Sequence, residues 1–179
     1  WAASTGAPGL RATQGYGVYS WTGATADTTP TLSDTNSLLV TGLEGNLTYS
    51  FDVTDFDTTG YESPRSLTVQ RLTCPGQPSG LSFTGVTQTA MTVGWTAPKN
   101  GASTYTLERA LDAAGPWAAV PNTGVGGTSL YVSGLTCGTT YWYRVRGANA
   151  SGSGAWSVAT SQTTSPCPAT TVADGTDPA

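Results

Sequence analysis

A sharp corner followed by a strand occurs twice in this chain, and it limits the fold more than any other feature. The second copy, Gly134-Leu135-Thr136-Cys137-Gly138-Thr139-Thr140-Tyr141, runs on into Trp142-Tyr143-Arg144-Val145-Arg146. Tyr141, Tyr143 and Val145 alternate there with Trp142, Arg144 and Arg146, the period of two that a half-buried strand requires. The first copy, Gly42-Leu43-Glu44-Gly45-Asn46-Leu47-Thr48-Tyr49, keeps the same Gly-to-Tyr spacing and continues into Ser50-Phe51-Asp52-Val53. A tyrosine at that point reads as a tyrosine corner, its hydroxyl bonded back to upstream backbone, so Tyr49 and Tyr141 are the expected corner residues. They lie 92 positions apart in 179 residues. The chain therefore reads as two all-β units, each close to the ~100 residues of a small sandwich.

Composition agrees with strands and turns. Charged residues make up 10% of the chain, Lys99 is the sole lysine, and Gly, Ser and Thr dominate the polar set. No window shows sustained helical periodicity. The net charge of -4 comes without any basic run, which excludes a phosphate-neutralising surface and hence nucleic acid as a partner. No apolar stretch reaches the ~20 residues of a membrane helix, and no signal peptide is visible. The only methionine is Met91, so the chain is expected to be a processed product or a piece of something longer.

Taken in order, the first unit opens at Trp1, which matches Trp95 of the second unit, so its first strand and most of its second are expected to be missing. Leu10, Val18, Tyr19 and Trp21 are expected to point inward, with two strands around the turn Gln14-Gly15-Tyr16-Gly17. Ser37-Leu38-Leu39-Val40-Thr41 matches Ser129-Leu130-Tyr131-Val132-Ser133 position for position and is expected to be a strand. Asp52 to Tyr61 reads as a loop, and Ser66 to Val69 closes the unit. The boundaries that follow are 1–73 for the first unit, 74–78 for a stiff Cys/Pro linker, 79–167 for a complete second unit, and 168–179 for a tail. Strands of the second unit are expected near 80–84, 90–96, 103–110, 116–120, 128–134, 139–148 and 155–163. Tyr105 and Leu107 should face its core, with Glu108 outside and beside Arg144 or Arg146 across the sheet. The tail has the character of the opening strand of another unit, and joining it to the start of the first unit would restore most of what that unit lacks.

The residues offer little chemistry. Without histidine, the commonest general base and the Ser-His-Asp arrangement are absent, and Cys137 lacks an activating imidazole. Asp52, Asp55 and Asp57 cluster, with Glu44 at the other end of that strand, but they read as solvated loop acids rather than a hydrolytic pair or a calcium loop. No cysteine has metal-ligand spacing, and no cofactor or metal is expected. Catalysis is not expected. Of six tryptophans, Trp1 and Trp95 fit core positions, while Trp21 and Trp117 occupy comparable places before a fifth strand. Trp142 is the outward candidate for stacking on a sugar ring, although Arg144 and Arg146 would more often cover such a ring with their stems. Asn46-Leu47-Thr48 and Asn149-Ala150-Ser151 fit the glycosylation acceptor pattern at Asn46 and Asn149.

Trp95, Tyr105-Thr106-Leu107, Leu135 with Tyr141, the Tyr-x-Tyr-x-Val strand and Ala148-Asn149 together resemble a tandem of fibronectin type III domains, similar to those of bacterial extracellular repeat proteins. The resemblance implies two consecutive seven-stranded immunoglobulin-like sandwiches, the first lacking N-terminal strands. Gly154-Ala155-Trp156-Ser157 is similar to the first half of the Trp-Ser box of cytokine receptors, without its second half. In such a sandwich the corner loop lies at the same pole as the end of the last strand, so Cys137 and Cys167 are expected to pair. A Cys74–Cys167 bond would have to span the unit from pole to pole, and three inert thiols are the other reading. Cys74, taken as the counterpart of Cys167, is left without a local partner, unpaired or intermolecular. A disulfide would place the protein in an oxidising, extracellular or cell-surface setting. The implied role is a structural or adhesive segment of an extracellular repeat protein or filament, its partners being head-to-tail copies or adjacent domains, or surface glycans. An accessory module of a secreted polysaccharide-degrading enzyme and a decoration domain of a virion or tail fibre are the alternatives.

Overall fold

A computed structural model describes residues 13–169, and every regular element among them is a strand. Trp1, Leu10 and the tail from 170 onward lie outside the described residues. The first unit holds β1 (Thr13–Thr22), β2 (Thr31–Ser33), β3 (Thr48–Asp57) and β4 (Val69–Leu72), hydrogen-bonded in the order β2-β1-β3-β4. All pairs are antiparallel.

The second unit is a two-sheet sandwich. Strands β5 (Ser79–Thr84), β6 (Ala90–Thr96) and β9 (Ser129–Ser133) form one sheet, ordered β5-β6-β9. The other contains β7 (Thr104–Ala110), β8 (Ala118–Ala119), β10 (Thr140–Asn149), the two-residue β11 (Gly152–Ser153) and β12 (Thr160–Thr163), with β10 between β7 and β12. Met91, Val93 and Trp95 from β6 meet Tyr105 and Leu107 from β7 and Tyr141, Tyr143 and Val145 from β10, all buried. Ring contacts tie the sheets together, Trp95 to Tyr105 at 5.5 Å and Phe83 to Tyr143 at 5.6 Å between centroids. The alternation read from the sequence is thus the alternation of burial along β10.

Four expectations change. The turn expected at Gln14 to Gly17 is instead part of one continuous strand, β1, which pairs with β3 along its length. Gly17 leaves Thr54 Oγ1 room to approach, since a Cβ there would lie 2.8 Å from it. Asp52 to Asp57 belong to β3 rather than to a loop. Asp52, far from being a solvated loop acid, is buried beside Tyr19 and 3.8 Å from Arg65 Nη1. Ser37 to Thr41 form no strand, and Leu39 is 85% exposed. Its counterpart β9 pairs only with β6, and no described strand of the first unit stands where β6 does, so the segment has no ladder to join. Finally, Trp21 lies inside β1 opposite Ser50, whereas Trp117 precedes β8, so the two are not equivalent.

Among the described residues the first unit has one sheet, and burial along β3 is inverted relative to β10. Ser50, Asp52 and Thr54 are buried, while Tyr49, Phe51 and Val53, which match core residues of β10, are half-exposed. The late strands also start later than expected. β4 begins at Val69 and β12 at Thr160, each preceded by an irregular segment.

Candidate functional site: the junction between the two units

At the end of each unit a threonine latches the last strand to the corner loop. In the first unit Thr73 Oγ1 donates to Glu44 O at 2.7 Å and accepts from Leu47 N at 3.1 Å. In the second, Thr164 Oγ1 donates to Thr136 O at 2.7 Å and accepts from Thr139 N at 3.0 Å. Asn46 N then donates to Cys74 O, as Gly138 N does to Ser165 O. This latch makes Ser165, not Cys167, the counterpart of Cys74. Cys167 lies two residues further on and forms a disulfide with Cys137 across a Cα separation of 5.0 Å. Cys74 is a half-buried free thiol, 3.9 Å from Ser151 Oγ. The corner tyrosines accept backbone bonds at both latches, Tyr49 from Glu44 N and Tyr141 from Thr136 N, each at 3.0 Å.

Beyond the first latch the chain does not swing free. Pro75 and Pro78 are buried. The linker lies along three glycines whose missing side chains make the approach possible. A Cβ on Gly45 would stand 2.4 Å from Gly76 N, one on Gly154 2.2 Å from Pro75 O, and one on Gly147 3.2 Å from Pro75 Cβ. Gln77 Nε2 closes the seat with a 2.6 Å bond to Trp156 O.

Around the linker, the corner loop of the first unit meets two loops of the second. Lys99 Nζ forms an ion pair with Glu44 Oε1. Asn100 Nδ2 donates to Gly45 O at 3.1 Å, and Asn100 O accepts from Asn46 Nδ2 at 2.6 Å. Asn149 Nδ2 donates to Asn46 Oδ1 and to Thr73 O, both at 2.8 Å. Asn46 and Asn100 adopt positive φ, 57° and 65°, a conformation asparagine tolerates better than most residues. Bonding to Lys99, then to Asn100, holds the Glu44 carboxyl below its ordinary value. The nitrogens that would carry glycans at Asn46 and Asn149 are thus donors inside the junction. Reading these asparagines as acceptor sites misses that role, as reading Glu44 as a solvated loop acid misses its partners Lys99 and Asn100. The isolation of the only lysine and the Asn100-Gly101 turn were the available signals.

The outer face of β7 and β10 places the other candidates. Arg144 stands opposite Glu108 and bonds its Oε2 through Nε at 2.9 Å and Nη2 at 2.6 Å. Its guanidinium lies 4.4 Å from the ring centres of both Trp117 and Trp156, and Arg146 lies 4.4 Å from Trp156. Trp142 is half-buried on that face, opposite Ala110 and Ser161. The arginines cover Trp117 and Trp156 rather than Trp142. Among the described residues no group of three or more Cys, Asp or Glu is placed to hold a metal, and no helix is long and apolar enough to cross a membrane.

The family model for the fibronectin type III domain matches residues 76–163. Those residues form a fibronectin type III domain. Among solved structures, a two-domain fibronectin type III segment of chicken tenascin is 18% identical, covers 87% of each chain and superposes with a TM-score of 0.54. At that identity the likeness is one of fold, and it spans both units. The sixth fibronectin type III domain of human fibronectin type III domain containing protein 3 is 28% identical over 53% of this chain and 90% of its own, with a TM-score of 0.46. No curated protein matches the sequence.

Proposed function

We propose that this chain is a non-catalytic structural segment of an extracellular repeat protein, a spacer that holds successive sandwiches at a set angle. The observation that carries the reading is the junction. A linker of this length left in solvent would let the two units reorient, whereas Pro75, Pro78 and Gln77 are seated on the second unit and three loop side chains clamp its flanks. The Cys137–Cys167 disulfide supports an oxidising, extracellular or cell-surface setting. The half-burial of Trp142, the candidate for sugar stacking, supports the spacer reading. Its partners in this reading are neighbouring domains or copies of the same protein, arranged head to tail.

The test is the orientation of the units in solution. Residual dipolar couplings from the full chain should fit one alignment tensor for both units. Asn149→Ala combined with Lys99→Ala should split them into two. Independent tensors in the unaltered chain would overturn the proposal.

A further inference from the structure

In both units a serine ties the irregular segment before the last strand to the central strand, beside a second tie, Ser63 N to Asp55 O in the first and Gly154 N to Gly147 O in the second. Ser66 N donates to Val53 O at 2.9 Å and Ser157 N to Val145 O at 2.8 Å. In return, Val53 N and Val145 N each donate to that serine's Oγ at 3.0 Å. Val53 and Val145 each follow their corner tyrosine by four residues, so the serines are equivalent. Neither segment belongs to a strand, so it lacks a continuous ladder. Side-chain packing can therefore add to these spaced bonds in keeping it on the central strand.

Three side chains meet over each serine segment. In the second unit they are Trp156, just before the serine, Arg144 on β10, and Glu108 opposite it on β7. The same positions in the first unit hold Arg65, Asp52 on β3, and Tyr19 opposite it on β1. Arg65 lies 3.6 Å from the centre of the Tyr19 ring and 3.8 Å from Asp52 Oδ2. Each trio therefore contains one cation, one carboxylate and one aromatic ring, and every role has moved to a different position. A guanidinium bound to a ring face and a carboxylate is satisfied whichever backbone carries each partner, because the three positions converge on one point. Neighbours extend the arrangement. Trp117 covers the other face of Arg144, and Tyr19 donates to Glu62 Oε1 at 2.5 Å.

We propose that these positions form a brace in each unit, that cation, carboxylate and ring are exchangeable among them so long as all three are present, and that the brace holds the serine segment on the central strand. In the second unit that segment also seats the linker, through Gly154 and the Trp156 carbonyl, so the brace there steadies the junction as well.

Amide hydrogen exchange on the full chain tests this. Asp52→Arg alone sets two guanidinium groups beside one ring, and exchange at the Ser66 and Val53 amides should accelerate about tenfold or more by local opening. Adding Tyr19→Glu and Arg65→Trp, which reproduces the second unit's arrangement, should bring exchange back to within about threefold of the parent. The mirror set, Arg144→Asp with and without Glu108→Tyr and Trp156→Arg, applies the same test at Ser157 and Val145 in the disulfide-closed unit. It decides the matter if the first unit unfolds. A triple variant that exchanges as fast as its single variant, or a single variant indistinguishable from the parent, would overturn the proposal.

Discussion

Gly154 shows how little room the junction leaves. Any side chain there collides with Pro75 O, a backbone atom that cannot rotate away, so Gly154→Ala must lift the linker from its seat. The expected cost is about 1–3 kcal/mol, the range for overpacking. Gly127 has open space around it and serves as the control, since Gly127→Ala should leave the melting temperature nearly unchanged. Calorimetry that ranked the two alike would show that the linker is not seated there. Tyr141 is a second single-residue test. Its hydroxyl takes the Thr136 N–H, so Tyr141→Phe should cost the second unit about 1 kcal/mol in urea melts while leaving the ring in place. An unchanged midpoint would mean that the corner hydrogen bond contributes nothing net.

Among elements, the end of β12 is the most constrained. The Thr164 latch and the Cys137–Cys167 bond both fasten it to the corner loop, closing 30 residues. On the chain-entropy model that closure stabilises the second unit by about 3–4 kcal/mol. Replacing both cysteines by serine should lower the denaturation midpoint accordingly, and a loss under about 1 kcal/mol would show that the latch alone suffices. The first unit has the latch without the bond, because Gly45 stands where the second unit has Cys137. A side chain at that position would strike the linker, so a cysteine there and a docked linker exclude one another. Strand β8 makes a smaller point about element length. It was expected to span 116–120 and keeps only Ala118–Ala119, between Pro116 and Pro121, which lack the N–H a longer ladder would need.

For the whole molecule, the proposed set angle between units should depend on acid. Glu44 is held below its ordinary carboxylate value chiefly by Lys99, so its contribution is present above the unfolded value and is lost as pH falls through the lower folded one. Small-angle scattering should therefore show one shape through the ordinary carboxylate range and a broader distribution at more acidic pH. Glu44→Gln should remove that step, and a profile that the substitution does not alter would sink the assignment. The sequence by itself determined the all-β class and the fibronectin type III character of the second unit. Alternation and corner spacing are local patterns, and Tyr141, Tyr143, Val145, Met91, Val93 and Trp95 could be assigned to the core from period two alone. It also brought Cys137 near Cys167 and Glu108 near Arg144, because strand order fixes which poles and faces adjoin. What only the tertiary structure decided depends on partners distant in sequence. Ser37 to Thr41 has the residues of a strand but no described strand beside it. Asp52 reads as a loop acid until Arg65 and Tyr19 close over it. Asn46 and Asn149, separated by 103 residues, become junction donors and acceptors only when two loops of different units are brought within 2.8 Å. A local pattern records which face a residue prefers, but it does not record which surface arrives to cover that face.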